Sequence, residues 1–184
     1  MKKLKLLLIA LALTLTLAGC SLSGNSSTTE STSESTEVKE YKLEGNLVEV
    51  TDFNTLKSIF DTKGLVVFYS PYGLIDEILL DQLKDLAKEY NVKVYCVKSS
   101  DINKNSTDTN IQYVLSKISS GISSYNENGT ILTPDFYEIK DGKIANRFFG
   151  ISSQIDVENI TDDSKKELKE LYRQYFEDLS ALSK

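Results

Sequence analysis

The sequence predicts an α/β fold with a mixed central sheet flanked by helices, and three observations carry that prediction. An apolar run at 65–70, an amphipathic stretch at 74–90 and a strand-like run at 92–97 form a strand-helix-strand unit, which implies a parallel pair. Two strand-like runs flank Asp141-Gly142, a strong hairpin signal because both turn positions need positive φ. The last segment carries Leu168, Leu171, Tyr172, Tyr175, Phe176 and Leu179 at helical spacing, a core-facing stripe.

The first elements are an address and a tether. Met1-Lys2-Lys3-Leu4-Lys5 is a basic start, and residues 6–17 follow without a charge. That run is too short for a spanning helix, which needs about 20 apolar residues. It reads as a secretory leader over 1–19. Leu17-Ala18-Gly19-Cys20 resembles a bacterial lipobox, which implies cleavage before Cys20 and acylation of its sulfur. Each buried lipid CH₂ contributes about 0.8 kcal/mol, so two or three chains anchor firmly. The expected location is extracytoplasmic, at the outer face of the plasma membrane. Residues 20–42 are dominated by Ser, Thr and Glu and read as a disordered tether of roughly 25 Å mean span. A modified Ser/Thr-rich stalk is the alternative.

The folded domain is expected over 43–184. Residues 46–51 alternate like a strand. Asp52 or Thr51 caps a helix carrying Phe53, Leu56, Ile59 and Phe60, and Gly64 fits its C-terminal stop. The run at 65–70 is apolar throughout, the mark of a strand buried on both faces. Pro71-Tyr72-Gly73 turns the chain into the 74–90 helix. Ile75, Ile78, Leu79, Gln82, Leu83, Leu86, Ala87 and Tyr90 form its inner face, and Asp76, Glu77, Asp81, Lys84, Asp85 and Lys88 its outer one. Residues 101–125 are irregular apart from a short helix at 111–118, with Ile122 and Tyr125 as inward candidates. After Pro134 come strands at 135–140 and 143–149, and Thr161 opens the last helix.

Composition excludes several chemistries. The 184 residues include no His, no Trp and two Cys. Without His there is no Ser-His-Asp triad, no Cys-His pair and no imidazole metal site. Asp101, Asp108 and Asp135 match no calcium loop, so no metal or other cofactor is expected. With 27 acidic against 21 basic residues the formal net charge is −6, which argues against a nucleic-acid partner. If Cys20 takes lipid, Cys96 has no partner for a disulfide.

The order of elements resembles the thioredoxin fold. Val66 to Tyr72 resembles the family's central strand and its approach to the active-site helix. Thr133-Pro134 resembles the Thr-Pro that opens its hairpin, and 140–143 with Phe149-Gly150 resembles the hairpin turn and following strand end. The resemblance spans roughly 47–184 and implies a three-layer sandwich. It departs where the family usually carries Trp-Cys-Gly-Pro-Cys: here Gly73 and Asp76 stand in the places of the two cysteines, and no Cys lies between Cys20 and Cys96. Dithiol exchange needs an attacking thiolate and a resolving sulfur, so that chemistry does not carry over.

Cys96 shares a strand face with Val92 and Val94 and reads as a core residue with a raised pKa, against the alternative of a reactive thiol. Asp76, near a helix start, reads as a cap that serves stability. The family's peptide-binding surface maps to Tyr69, Pro71, Tyr72, Leu74, Leu132, Thr133 and Pro134. A cis bond at Thr133-Pro134 would leave the Thr133 backbone free to pair with an extended peptide. The alternative is that these residues only close the core edge. The leading expectation is a non-redox, membrane-tethered module that binds a peptide or envelope protein, akin to thioredoxin-like accessory proteins of peptide export. A mono-thiol redox protein using Cys96 and a structural envelope component are the competing readings.

Overall fold

A computed structural model describes residues 39–118, 125–150 and 159–181. The expected leader, Cys20, the tether as far as residue 38, and Ile122 lie outside the described residues. The described chain runs β1 (Leu47–Glu49), α1 (Phe53–Asp61), β2 (Gly64–Tyr69), α2 (Leu74–Tyr90), β3 (Val94–Lys98), α3 (Thr109–Ile118), β4 (Asp135–Lys140), β5 (Lys143–Phe149) and α4 (Asp162–Ala181). A 3-10 turn at Ser99–Asp101, which the sequence pattern does not announce, follows β3.

The five strands form one sheet in the order β1-β3-β2-β4-β5. β3 pairs in parallel with both β1 and β2, whereas β4 pairs antiparallel with β2 and with β5. The mixed sheet follows from the connections: α2 carries the chain across from β2 to β3, and the Asp141-Gly142 turn reverses it. Both turn residues have positive φ, +50° and +70°.

Helices cover both faces. Leu65, Val67, Tyr69, Val94, Cys96 and Phe136 face α2 and α4, while Val66, Phe68, Val97, Tyr137 and Ile139 face α1 and α3. Every residue of β2 is buried, as an unbroken apolar run between two helical layers requires. The result is a three-layer α/β sandwich.

Three expectations need correction here. Gly64 does not stop α1: the helix ends at Asp61, and Gly64 is the buried first residue of β2. A Cβ there would stand 2.7 Å from Ile59 Cγ2, so close packing explains the glycine. Asp76 is not on the solvent face of α2. It is buried on one stripe with Leu80, Leu83 and Ala87. The ordered chain also begins before Leu43. The Tyr41 amide donates to the Pro71 carbonyl at 2.7 Å, its hydroxyl donates to Asp81 Oδ1 at 2.9 Å, and its ring packs on the core.

Candidate functional site: a rim at the carboxyl end of β2

Topology brings three segments to one end of the sheet. β2 ends at Tyr69 and leads through Ser70–Gly73 into α2. β4 runs the other way, with Asp135 opposite Phe68, so its entry residues Leu132–Pro134 arrive at the same end. Phe149, the last residue of β5, lies opposite Asp135, and the Gly150 amide donates to the Pro134 carbonyl at 2.7 Å. In open α/β sheets the crevice outside the carboxyl ends of parallel strands is where ligands bind.

The expected site residues divide into two groups. Tyr72 is 59% exposed, Leu74 65% and Leu132 39%. Thr133 is half-buried, and the Thr133-Pro134 bond is cis. Among the described residues no hydrogen bond engages the Thr133 amide or carbonyl. Tyr69 and Pro134, by contrast, are buried. Tyr69 belongs to the core between the sheet and α2/α4, and burial pushes its hydroxyl pKa up to about 12. It supports the rim from beneath and is not a contact residue. Pro71 is half-buried and fixed by Tyr41 through its carbonyl.

Phe149 was not among the expected residues, yet it is 49% exposed at this end. A register slip between Glu138 and Ile139 causes this. Counted from the Lys140–Lys143 pair without a bulge, Phe148 would face Asp135; the bulge advances the strand by one and puts Phe149 there. A bulge leaves no plain mark in the sequence.

Gly73 and Asp76 form one unit. Gly73 is the N-cap of α2 and supplies no side-chain cap. Asp76 serves the helix start as expected, its own first-turn amide donating to its carboxylate, and it reaches beyond the helix as well. Its Oδ1 accepts from the Ser70 amide at 2.9 Å and its Oδ2 from the Thr133 hydroxyl at 3.3 Å. The carboxylate thus joins the end of β2, the start of α2 and the loop before Pro134. It has no ion-pair partner among the described residues. Burial raises its pKa above the usual carboxylate range, and the bonds from Ser70, Thr133 and its own backbone amide pull in the opposite direction. Gly73 has φ −89° and ψ 122°, open to any residue, so its backbone does not demand glycine. Space does: a Cβ on residue 73 would stand 2.1 Å from Asp76 Oδ2.

Below the rim, Asp135 is buried and held by Arg147 through Nε to Oδ1 at 2.9 Å and Nη2 to Oδ2 at 2.7 Å. The Tyr137 hydroxyl donates to the same carboxylate at 2.6 Å. Satisfied on both oxygens, it serves as a fixed floor. Cys96 is fully buried on the α2/α4 side, as strand alternation predicts, with Sγ 3.7 Å from the Val94 carbonyl. Burial drives its thiol pKa far above the ordinary value. Neither a thiol nor a cluster of three metal-ligating side chains occurs at the rim among the described residues. No described helix is long and apolar enough to cross a membrane.

No family model matches the sequence, and no curated protein matches it. Solved structures similar in shape include a thioredoxin from Trypanosoma brucei brucei, 15% identical, with 72% of this chain and 89% of that one covered at a TM-score of 0.45. A thioredoxin from Nicotiana alata is 12% identical, covering 74% of this chain and 98% of that one at 0.45. One from Plasmodium falciparum is 18% identical, covering 68% and 98% at 0.41. The mixed sheet, the helices on both of its faces and the cis proline opening the hairpin beside the start of α2 give this domain a thioredoxin-like fold.

Proposed function

We propose that this protein is a bacterial lipoprotein, tethered outside the plasma membrane through lipid on Cys20, whose thioredoxin-like domain binds a peptide or envelope protein without dithiol chemistry. Accessory work in peptide export is the role that suits such a module best. One observation carries the binding reading: Tyr72, Leu74 and Leu132 are exposed around a Thr133 backbone that no described residue pairs. Large apolar side chains beside an unpaired main-chain donor and acceptor are what an extended peptide needs for strand-like docking. The buried Cys96 and the Gly73/Asp76 pair speak for a site that works by contact.

A photo-crosslinker at Leu132 in intact cells tests the site. A discrete partner is expected, with capture lost in Tyr72→Asp; capture that ignores Tyr72→Asp refutes the rim. Anchorage is read by palmitate labelling, which Cys20→Ser should abolish while releasing the protein from the membrane fraction. Insulin reduction by dithiothreitol should proceed at the uncatalysed rate. Catalysis that disappears in Cys96→Ala would restore the mono-thiol reading.

A further inference from the structure

The strap before β1, residues 39–46, is seated from several sides. The Tyr41 amide donates to the Pro71 carbonyl at 2.7 Å, and the Tyr41 hydroxyl donates to Asp81 Oδ1 of α2 at 2.9 Å. Glu40 pairs with Lys98 at the end of β3, and the Asn46 amide nitrogen donates to the Ala87 carbonyl at 2.8 Å. The side chains of Tyr41 and Leu43 pack on the core between the sheet and α2/α4.

The Pro71 carbonyl is a telling partner. Ser70, Pro71, Tyr72 and Gly73 form a β-turn, closed by the Gly73 amide on the Ser70 carbonyl at 3.2 Å. Pro71 and Tyr72 are its central residues, and the peptide between them carries the carbonyl that Tyr41 holds. That peptide has two senses. Type I and type II turns differ by turning it over, and proline at the first central position suits both. Among the described non-glycine residues only Asn91 and Asp141 have positive φ, so Tyr72 sits at negative φ and the turn is not type II. Tyr72 is 59% exposed, so burial does little to fix it. The Tyr41 amide therefore grips the one peptide whose sense decides where Tyr72 points.

We propose that Tyr41 is a positioning residue for the rim: its amide pins the central peptide of the 70–73 turn, which presents Tyr72, and a seated strap and an occupied rim favour each other. Resting on the rim as the docking site, this coupling also regulates that site. Whatever unseats the strap, a pull on the chain before Lys39 included, weakens docking. One ordinary hydrogen bond sets the size, about 5-fold in an equilibrium. Coupling between two sites is reciprocal, so the same factor should be read at both ends.

The full-length chain carrying Cys20→Ser, with carboxymethylated insulin B chain as an extended apolar probe, tests the coupling. Tyr41→Ala and Tyr41→Pro both lack the ring and its hydroxyl, and only the second lacks the amide proton. Tyr41→Pro should bind the probe about 5-fold more weakly than Tyr41→Ala. The NMR signals of the Pro71 carbonyl carbon and of Tyr72 should move in Tyr41→Pro and stay in Tyr41→Phe. In the parent chain, saturating probe should slow hydrogen exchange at the Tyr41 amide by a similar factor, a reading that needs no variant to fold. Equal probe affinity in Tyr41→Pro and Tyr41→Ala overturns the positioning role. So does Tyr41 exchange that ignores a probe bound at the rim. A probe that fails to bind, or binds regardless of Tyr72→Asp, overturns the rim instead. The Pro71 and Tyr72 signals then judge Tyr41 alone: unmoved in Tyr41→Pro, they overturn its role as well.

Discussion

Adding one methyl group to Gly73 should cost far more than a helix cap is worth, and the cost should depend on Asp76. In Gly73→Ala the new Cβ would stand 2.1 Å from Asp76 Oδ2 and 3.0 Å from its carboxyl carbon, so the carboxylate has to leave. Leaving breaks its bonds from the Ser70 amide and the Thr133 hydroxyl. Hydrogen bonds to a charged group contribute roughly 1.5–3 kcal/mol each, part of which the rehydrated carboxylate recovers. A net loss of about 2–3 kcal/mol is expected near neutral pH. In an Asp76→Ala background the methyl meets nothing at that distance. There the change reduces to Gly→Ala at an N-cap, about 0.5–1 kcal/mol unfavourable, offset by a similar entropic gain in the unfolded chain. The double-mutant cycle should therefore return a coupling of about 2 kcal/mol. Urea unfolding followed by far-UV circular dichroism reads it as a midpoint shift of about 1 M, with unchanged slope. Equal losses in both backgrounds, within about 0.5 kcal/mol, would refute the claim that the two residues share one space.

Other expectations follow from the same geometry. Because the folded pKa of Asp76 is raised, its contribution to stability is fully present below the unfolded value of about 3.9 and is lost as pH rises through the folded value. Asp76→Asn should flatten that part of the pH profile of urea midpoints, and an unchanged slope would contradict the assignment. Arg147→Met strands the buried Asp135, and breaking such a pair costs about 3–5 kcal/mol. A thermal scan showing a loss below about 1 kcal/mol would mean the pair is dispensable. With Cys20→Ser leaving Cys96 as the sole thiol, Ellman's reagent should label the native protein only at the rate of local opening, because the thiol is buried and its pKa high. Prompt native labelling would place Cys96 at the surface.

What the sequence revealed and what it hid can be traced to particular residues. The Asp141-Gly142 hairpin was legible because both residues tolerate positive φ and the turn needs it twice. The inward face of Cys96 followed from strand alternation, and the exposure of Tyr72 and Leu74 from the turn they flank. Tyr69 misled because the resemblance mapped a peptide-binding surface onto it, whereas it ends a strand covered on both faces. Asp76 misled for another reason. Its spacing to Leu80, Leu83 and Ala87 placed it on the inner stripe all along, but its charge argued for solvent. Its partners inside are the Ser70 amide and the hydroxyl of Thr133, 57 positions away, and neither bond is visible in the helical pattern. Tyr41 stands in a polar stretch, and the partners that order it, Pro71 and Asp81, are visible only once the chain has folded back.

The Gly73/Asp76 pair also bears on how this rim relates to the dithiol pattern it resembles. A cysteine placed at position 73 alone would put its Cβ onto the Asp76 carboxylate and push that group from its niche. A cysteine at position 76 alone would vacate the niche but leave Gly73 without a sulfur, and it would strip Ser70 and Thr133 of their common acceptor. Each single step loses contacts and gains no exchange chemistry, since that chemistry needs both an attacking and a resolving sulfur. Only a change at both positions places two sulfurs here without setting a Cβ at 73 against the Asp76 carboxylate. The carboxylate at 76 and the missing side chain at 73 therefore share one space, and a Cβ at 73 and the buried carboxylate exclude each other.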